Sequence, residues 1–301
     1  MLNAGQVTKF WDEGFVTATN AVTNNQLAHL KADFQQWVET SRQHTEAFGE
    51  TCAGRARFDV EPGHSAGQPA LRRIASPTEL SEHYLNVVKN SALLDMVDAL
   101  IGPNLRFHHA KVNSKLPGTA TTVKWHQDFT FDPHSNDDMV TALLFLDDVT
   151  LDNGPLHVAP GTHRGPLLSL WQNGRFTGVV DDETATELDK NVVAVTGPAG
   201  SVCLMHVRVA HCSAENKSQA ERTLFIAAIA AADAVPLAAN ALPSIHEGML
   251  LKGVEPSRVR SINFQLQTPE LPSGASFFGQ QADKQADTMN EPTATTNRAR
   301  Q

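Results

Sequence analysis

The chain is short of cysteine, aromatic residues and long apolar runs, and each shortage removes a class of explanation. Its three cysteines, Cys52, Cys203 and Cys212, are spaced for neither a zinc site nor a disulfide framework. Cys203 and Cys212 lie in apolar, strand-like sequence and read as reduced, small core residues. No apolar segment approaches the ~20 residues that a membrane span needs. Residues Met1 to Phe10 lack the apolar centre of a signal peptide. The expectation is a soluble, cytoplasmic protein with no membrane partner. Basic residues are also outnumbered, with 24 Lys and Arg against 33 Asp and Glu, a formal charge of −9. That balance excludes a nonspecific nucleic-acid binder, although a locally basic pocket can still take an anionic small molecule. What remains is ample core material: 41% of the 301 residues are hydrophobic, enough for one large β-rich domain or two small ones. Nothing in the composition bears on oligomeric state.

Periodicity divides the chain. Leu27, Leu30, Phe34 and Trp37/Val38 recur at helical spacing, predicting a helix over 24–41. Residues 42–70 are polar, without a period, and read as a long loop. Ser76-Pro77-Thr78-Glu79 has the form of a capping box, predicting a helix from there to Leu100, interrupted near Asn90-Ser91 and ended by Gly102-Pro103. Strand patterns follow: Val140–Leu146, Leu156–Val158, Asn191–Val195, Ser201–Cys212, Thr223–Ala231 and the alternating Ile262–Gln267. The expectation is a mainly β protein, a sandwich or barrel with helices packed outside. A single domain spans 1–279, with a helical layer over about 1–102 and a β core over about 103–270. The polar segment 280–301 reads as a mobile tail.

His126-Gln127-Asp128 is the most informative stretch. In a strand, residues i and i+2 share a face, so the imidazole and the carboxylate can converge on one point. A second histidine from a neighbouring strand would complete a two-histidine, one-carboxylate set with open positions, as in non-heme Fe(II) oxygenases. Two histidines could supply it, His206 and His211, on opposite faces of one strand-like stretch. His211 is favoured because Ser213 shares its face. A turn at Asn216–Gln219 would also return Arg222 beside it in a hairpin. A 2-oxo acid can fill two further metal positions, leaving one for O2. The far carboxylate of 2-oxoglutarate would then need an anchor, which the Arg222 guanidinium can supply by paired, charge-assisted hydrogen bonds, with Ser213 as a further donor.

His126-x-Asp128, His211-x-Ser213-x-x-Asn216 and Arg222 together resemble the motif order of the phytanoyl-CoA dioxygenase family. So do the stretch Asp152 to Gly165 and Gly102-Pro103-Asn104. The likeness is good over 100–232 and loose before that. It implies a double-stranded β-helix (a cupin-like jelly roll) with flanking N-terminal helices. It also implies hydroxylation of a small or medium organic substrate using Fe(II), O2 and 2-oxoglutarate, with release of succinate and CO2. By the same resemblance His126, Asp128 and His211 hold the metal. Arg222 and Ser213 hold the cosubstrate, and Gln127, Asn113 and Arg73 are further candidates beside it. Related halogenases carry a small residue in place of the carboxylate; the presence of Asp128 favours hydroxylation or another oxidation of that class. Phe129, Phe131 and His134, just after the carboxylate, and Trp171 and Arg175 in a later loop, are candidates for the substrate pocket. Two other readings compete: a cupin-like metalloenzyme that does not use 2-oxoglutarate, which Arg222 and Ser213 disfavour, and a non-catalytic binding relative, which the intact triad disfavours.

Overall fold

Residues 139–145 show why the molecule is layered. Every side chain of this strand is buried, yet the strand keeps its two-residue period. Val140, Ala142 and Leu144 join one hydrophobic cluster, while Leu143 and Phe145 join another. Its neighbours divide in the same way, with Val202 and Leu204 against Cys203 and Met205, and Phe225, Ala227 and Ile229 against Leu224 and Ile226. Strands with two apolar faces must lie between two layers.

The computed structural model describes residues 1–117, 121–272, 274, 277 and 278. The strands are β1 (Phe15–Ala18), β2 (Phe48–Glu50), β3 (Ala56–Val60), β4 (Leu71–Ala75), β5 (Leu105–Lys115), β6 (Val123–His126), β7 (Met139–Phe145), β8 (Leu156–Val158), β9 (Trp171–Gln172), β10 (Arg175–Phe176), β11 (Val193–Val195), β12 (Val202–His206), β13 (His211–Ser213), β14 (Arg222–Ala231) and β15 (Leu250–Lys252). The helices are α1 (Ala4–Glu13), α2 (Asn24–Ser41), α3 (Glu82–Asn90), α4 (Ala92–Ile101) and α5 (Asp182–Leu188). The large sheet runs β1-β12-β7-β14-β5-β4-β3-β2, with β15 also on β5, and the small sheet runs β11-β8-β13-β6. Both are antiparallel. The small sheet covers one face of the large sheet through Leu156, Val158 and Val195. Helices α1 to α4 cover the other face. This is the jelly-roll arrangement with outer helices. Tyr84, the chain's one tyrosine, pins the helical layer. Its buried hydroxyl donates to Leu30 O at 3.0 Å, and its ring meets Phe225 edge-on at 4.8 Å. No helix among the described residues is long and apolar enough to cross a membrane.

Several local expectations give way. Helix α2 starts at a capping box, but it is Thr23 with Gln26. Ser76 takes a left-handed conformation (φ 51°), and only a three-residue turn follows it. The Glu79 carboxylate accepts from Arg57 at 2.6 Å and from Ile245 N at 2.9 Å, so it is not free to cap. Helix α3 begins instead at Ser81, whose hydroxyl accepts from His83 N and Tyr84 N. Residues 42–70 are not a featureless loop: β2 and β3 there, followed by β4, widen the large sheet. The expected strand 201–212 is two strands in different sheets, separated by a turn after His206. Ile262–Gln267 has no ladder. Phe264 and Leu266 pack inward with Phe129, so its alternation records burial alone. The segment expected to be a tail, 280–301, lies outside the described residues.

Candidate active site

Strand β6 ends at His126, and Gln127 continues extended (φ −114°, ψ 134°) before a tight turn over Asp128–Thr130. The i, i+2 alternation therefore holds for one residue beyond the ladder, enough to bring Asp128 to the face of His126. Strand β13 pairs antiparallel with β6, with His211 directly opposite His126. The result is symmetric. Asp128 Oδ1 lies 3.6 Å from His126 Nε2 and 3.6 Å from His211 Nε2, and the two rings are 4.1 Å apart.

Backbone carbonyls fix the rings. His126 Nδ1 lies 2.8 Å from Lys124 O, and His211 Nδ1 lies 3.0 Å from Val209 O. A carbonyl only accepts, so each Nδ1 carries the proton and each Nε2 keeps a lone pair directed at the carboxylate. Thr141, from the large sheet, donates to Asp128 Oδ2 at 2.7 Å and leaves Oδ1 available. These outer partners are the kind that orient metal ligands. Burial pushes His211 down to about 4, with His126 adding to the shift, so the ring is neutral at neutral pH. Burial would raise Asp128, but His211, His126 and Lys111 outweigh it and hold the carboxyl well below its usual range. Two neutral imidazoles and one carboxylate form a donor set that suits a divalent transition metal with positions left open. His206 stays apart on β12, its Nδ1 accepting from Arg208 N.

The triad sits where two lobes of a cavity meet. One lobe extends between the sheets to Lys115, Thr121, Ser213 and Arg222. Arg222 does not return beside His211 as a hairpin partner. It opens β14, which pairs with β5 and β7, so it reaches the lobe from the opposite sheet. It is 3% exposed; one guanidinium nitrogen donates to Gly154 O at 2.6 Å, while Nε has no partner. Lys115 is its register neighbour and donates to Ser213 Oγ at 2.9 Å and to Ala214 O. Burial, then Arg222, pushes Lys115 down to about 6. Ser213 accepts from Lys115 and keeps its own proton to donate. The second lobe is lined by Arg73, His109, Lys111, Phe131, Asp132 and Leu242, among others. Asn113 borders both lobes, and Arg73 is its register partner on β4. Arg73 Nε and Asn113 Oδ1 are buried without partners.

The remaining expected residues lie elsewhere. Gln127 is fully buried, with its amide donating to Arg208 O (2.7 Å) and accepting from Leu168 N (2.8 Å), because an extended residue between His126 and Asp128 must point away from the face they share. Phe129 is fully buried against Phe264. His134 is buried edge-on against His108. Trp171 borders a different cavity near Leu168 and Gln265, and Arg175 is exposed on β10. Of the candidates just after the carboxylate, only Phe131 reaches the site, its ring 5.5 Å from His126. Sequence reasoning missed Lys111, Lys115, Thr141 and Asp132. Two lysines at inward positions of a buried strand were the available signal.

A family model described as phytanoyl-CoA dioxygenase (PhyH) matches residues 10–224. The chain belongs to the phytanoyl-CoA dioxygenase family. It is a non-heme iron, 2-oxoglutarate-dependent dioxygenase, with Fe(II), 2-oxoglutarate and O2 as its cofactor and cosubstrates. Among family relatives, a probable alpha-ketoglutarate-dependent hypophosphite dioxygenase of Stutzerimonas stutzeri is 28% identical over 272 residues, 88% of this chain and 92% of that protein. L-proline trans-4-hydroxylase of Streptomyces griseoviridis is 32% identical over 180 residues, 53% of this chain and 67% of that protein. The fold is shared with EctD from S. alaskensis in complex with 2-oxoglutarate and 5-hydroxyectoine (TM-score 0.65, 19% identity, 86% of this chain and 88% of that chain).

Proposed function

We propose that this enzyme hydroxylates a small polar organic molecule carrying an acidic group, with each lobe of the cavity taking one of the two organic reactants. The observation that carries the reading is the convergence of His126 Nε2 and His211 Nε2 on Asp128 Oδ1, with the buried, partly unpartnered Arg222 facing the same space. In this reading His126, Asp128 and His211 hold Fe(II). When bound, the iron supplies O2 activation coupled to oxidative decarboxylation of 2-oxoglutarate. Arg222 and Ser213 hold the far carboxylate of 2-oxoglutarate, and Lys115 supplies a proton-dependent charge beside them. Thr141 orients Asp128. Asn113 borders the near end of the cosubstrate. Gln127 braces the loops behind the site rather than touching the cosubstrate.

The substrate lies in the second lobe. Arg73 and Lys111 place two cations in that lobe opposite the Asp128 and Asp132 carboxylates that also line it, so an acidic group on the substrate would be met at the Arg73 and Lys111 end, and Phe131 and Leu242 give it an apolar wall that limits water near the reacting carbon. Relatives are named for hypophosphite, L-proline, ectoine and phytanoyl-CoA. No Lys- and Arg-rich cluster in the sequence marks a CoA nucleotide site, which favours the smaller molecules. The reading includes a cytoplasmic setting, supported by three unpaired cysteines. The test is aerobic incubation with Fe(II), ascorbate, 2-oxoglutarate and a panel of small carboxylic and phosphonic acids. Succinate release should exceed background and rise with the true substrate. No succinate above background, from any member of the panel, would sink the reading.

A further inference from the structure

A second group of side chains repeats the geometry of the first. His108 and His109 are adjacent, so a regular strand would send them to opposite faces. Strand β5 is not regular there. Ala228 pairs with His109 and Ile229 pairs with Phe107, so His108 is the extra residue of a β-bulge. The bulge turns both rings, 4.8 Å apart, toward one carboxylate. Asp132 Oδ1 lies 3.4 Å from His108 Nε2, and Asp132 Oδ2 lies 3.7 Å from His109 Nδ1. In the 126/128/211 triad the His–carboxylate separations are both 3.6 Å, there to a single oxygen, Oδ1. In each group the three ligand atoms lie within 4.8 Å of one another.

His108 Nε2 faces Asp132 Oδ1 as an ion pair, but well-aligned hydrogen bonds do not account for the whole arrangement. His108 Nε2, His109 Nδ1 and Asp132 Oδ1 are all buried with no hydrogen-bond partner. His108 is 4% exposed and His109 7%. Burying polar atoms without well-made hydrogen bonds is costly, so a cluster of three points to a ligand. The spacing indicates what kind. Metal–ligand bonds of about 2.0–2.1 Å around a tetrahedral ion set neighbouring ligand atoms about 3.4 Å apart. An ammonium group held by hydrogen bonds of about 2.8 Å would spread its acceptors to about 4.6 Å. The two His–carboxylate separations, 3.4 and 3.7 Å with one to each oxygen, lie nearer the metal spacing than the ammonium spacing. Glu247 Oε1, 3.8 Å from His108 Nδ1, stands on the far side of that ring, where carboxylates orient ligating histidines. His109 and Asp132 line the lobe that also reaches His126 and Asp128, which gives an ion a route in.

We propose that His108, His109 and Asp132 form a second divalent-metal site, separate from the 126/128/211 triad and suited to zinc. Two imidazoles and a carboxylate supply borderline nitrogen and hard oxygen donors, and a fourth position opens toward the substrate lobe. An ion there adds positive charge beside Arg73 and can meet an acidic group on the substrate.

The experiment is metal stoichiometry, which needs no turnover. Tag-free protein is dialysed against micromolar Zn2+, and bound zinc is counted by mass spectrometry. Wild type should hold two ions per chain. H211A and D132N should each hold one, and H211A/D132N none. Thermal melting of each variant establishes that it is folded, and H109Q serves as a second, conservative probe of the cluster. In the H211A background, Zn2+ should raise the melting temperature, and adding D132N should abolish that rise. One ion in wild type and none in folded H211A would overturn the proposal, as would two ions in both wild type and D132N.

Discussion

The four-stranded sheet and the nine-stranded sheet face each other across the cavity and contribute opposite things to it. The small sheet brings lone pairs: His126 and His211 stand opposite each other on strands of four and three residues. The large sheet brings basic side chains: Arg73 on β4, Lys111 and Lys115 on β5, and Arg222 on β14. The two sets are also held differently. The proposed ligands rest on short strands and the turn after β6, so backbone carbonyls at Lys124 and Val209 and the Thr141 hydroxyl orient them. The basic residues are carried by strands of up to eleven residues inside a long ladder. A metal needs its ligands set to fractions of an ångström. A carboxylate anchor needs buried charge at the right depth, which a rigid ladder provides.

The sharpest way to break the comparison is to remove a ligand from the small sheet. H211A should lower succinate formation by well over the ~10–100-fold that outer-shell changes command, and added 2-oxoglutarate should not restore it. Retention of more than a tenth of wild-type activity would mean that His211 is not a ligand. Next is the Thr141 hydroxyl, by which the large sheet orients Asp128 in the turn that follows β6. T141V should weaken Fe(II) binding roughly 10-fold while leaving the apparent affinity for 2-oxoglutarate nearly unchanged. An equilibrium iron titration checks it.

These residues differ in how well the sequence discloses them. His126 and Asp128 are two residues apart, and one local rule, the alternation of a strand, brings them together. His211, Ser213 and Arg222 follow in an order that a family pattern records. The layered β fold was legible for the same reason, because β7, β12 and β14 are apolar on both faces. The cations were harder to see. Lys111 and Lys115 look like surface charge until register shows them inside the sheet. Arg222 was read as a neighbour of His211 by hairpin return, but its strand joins the other sheet, and no local pattern specifies which sheet a strand enters. The paired orientation of His108 and His109 depends on a bulge defined by the register of β14, a strand more than a hundred residues away in sequence. The capping box at Ser76 failed because its glutamate found Arg57, a tertiary partner absent from any short window.

Lys115 sharpens the comparison by pH. Burial, and Arg222 beside it, lower its pKa to about 6, so above that value it is neutral in the free protein. A bound carboxylate favours the cation. Binding of 2-oxoglutarate above about pH 6 should therefore take up a proton, and affinity should fall as pH rises from there, by at most about tenfold per unit. Calorimetry in buffers of different ionisation enthalpy reads the proton directly. K115M should remove the proton uptake, and its persistence would assign it to another group. The smallest effect on cosubstrate belongs to Gln127. Q127L should reduce stability by about 2 kcal/mol, because Arg208 O and Leu168 N lose their buried partner. Its apparent affinity for 2-oxoglutarate should stay within about threefold of wild type, a ratio that amounts to well under 1 kcal/mol.

The most direct test of a site assembled across two sheets is an anaerobic titration of the Fe(II)-loaded protein with 2-oxoglutarate, followed by the visible absorption of the iron chelate. Wild type should saturate. H211A should give no comparable signal. R222A should give the wild-type spectrum only at about 30- to 150-fold higher 2-oxoglutarate, the equivalent of about 2–3 kcal/mol for charge-assisted hydrogen bonds to a buried carboxylate. If R222A saturates at the wild-type concentration, the large sheet does not anchor the cosubstrate and this account of the cavity is wrong.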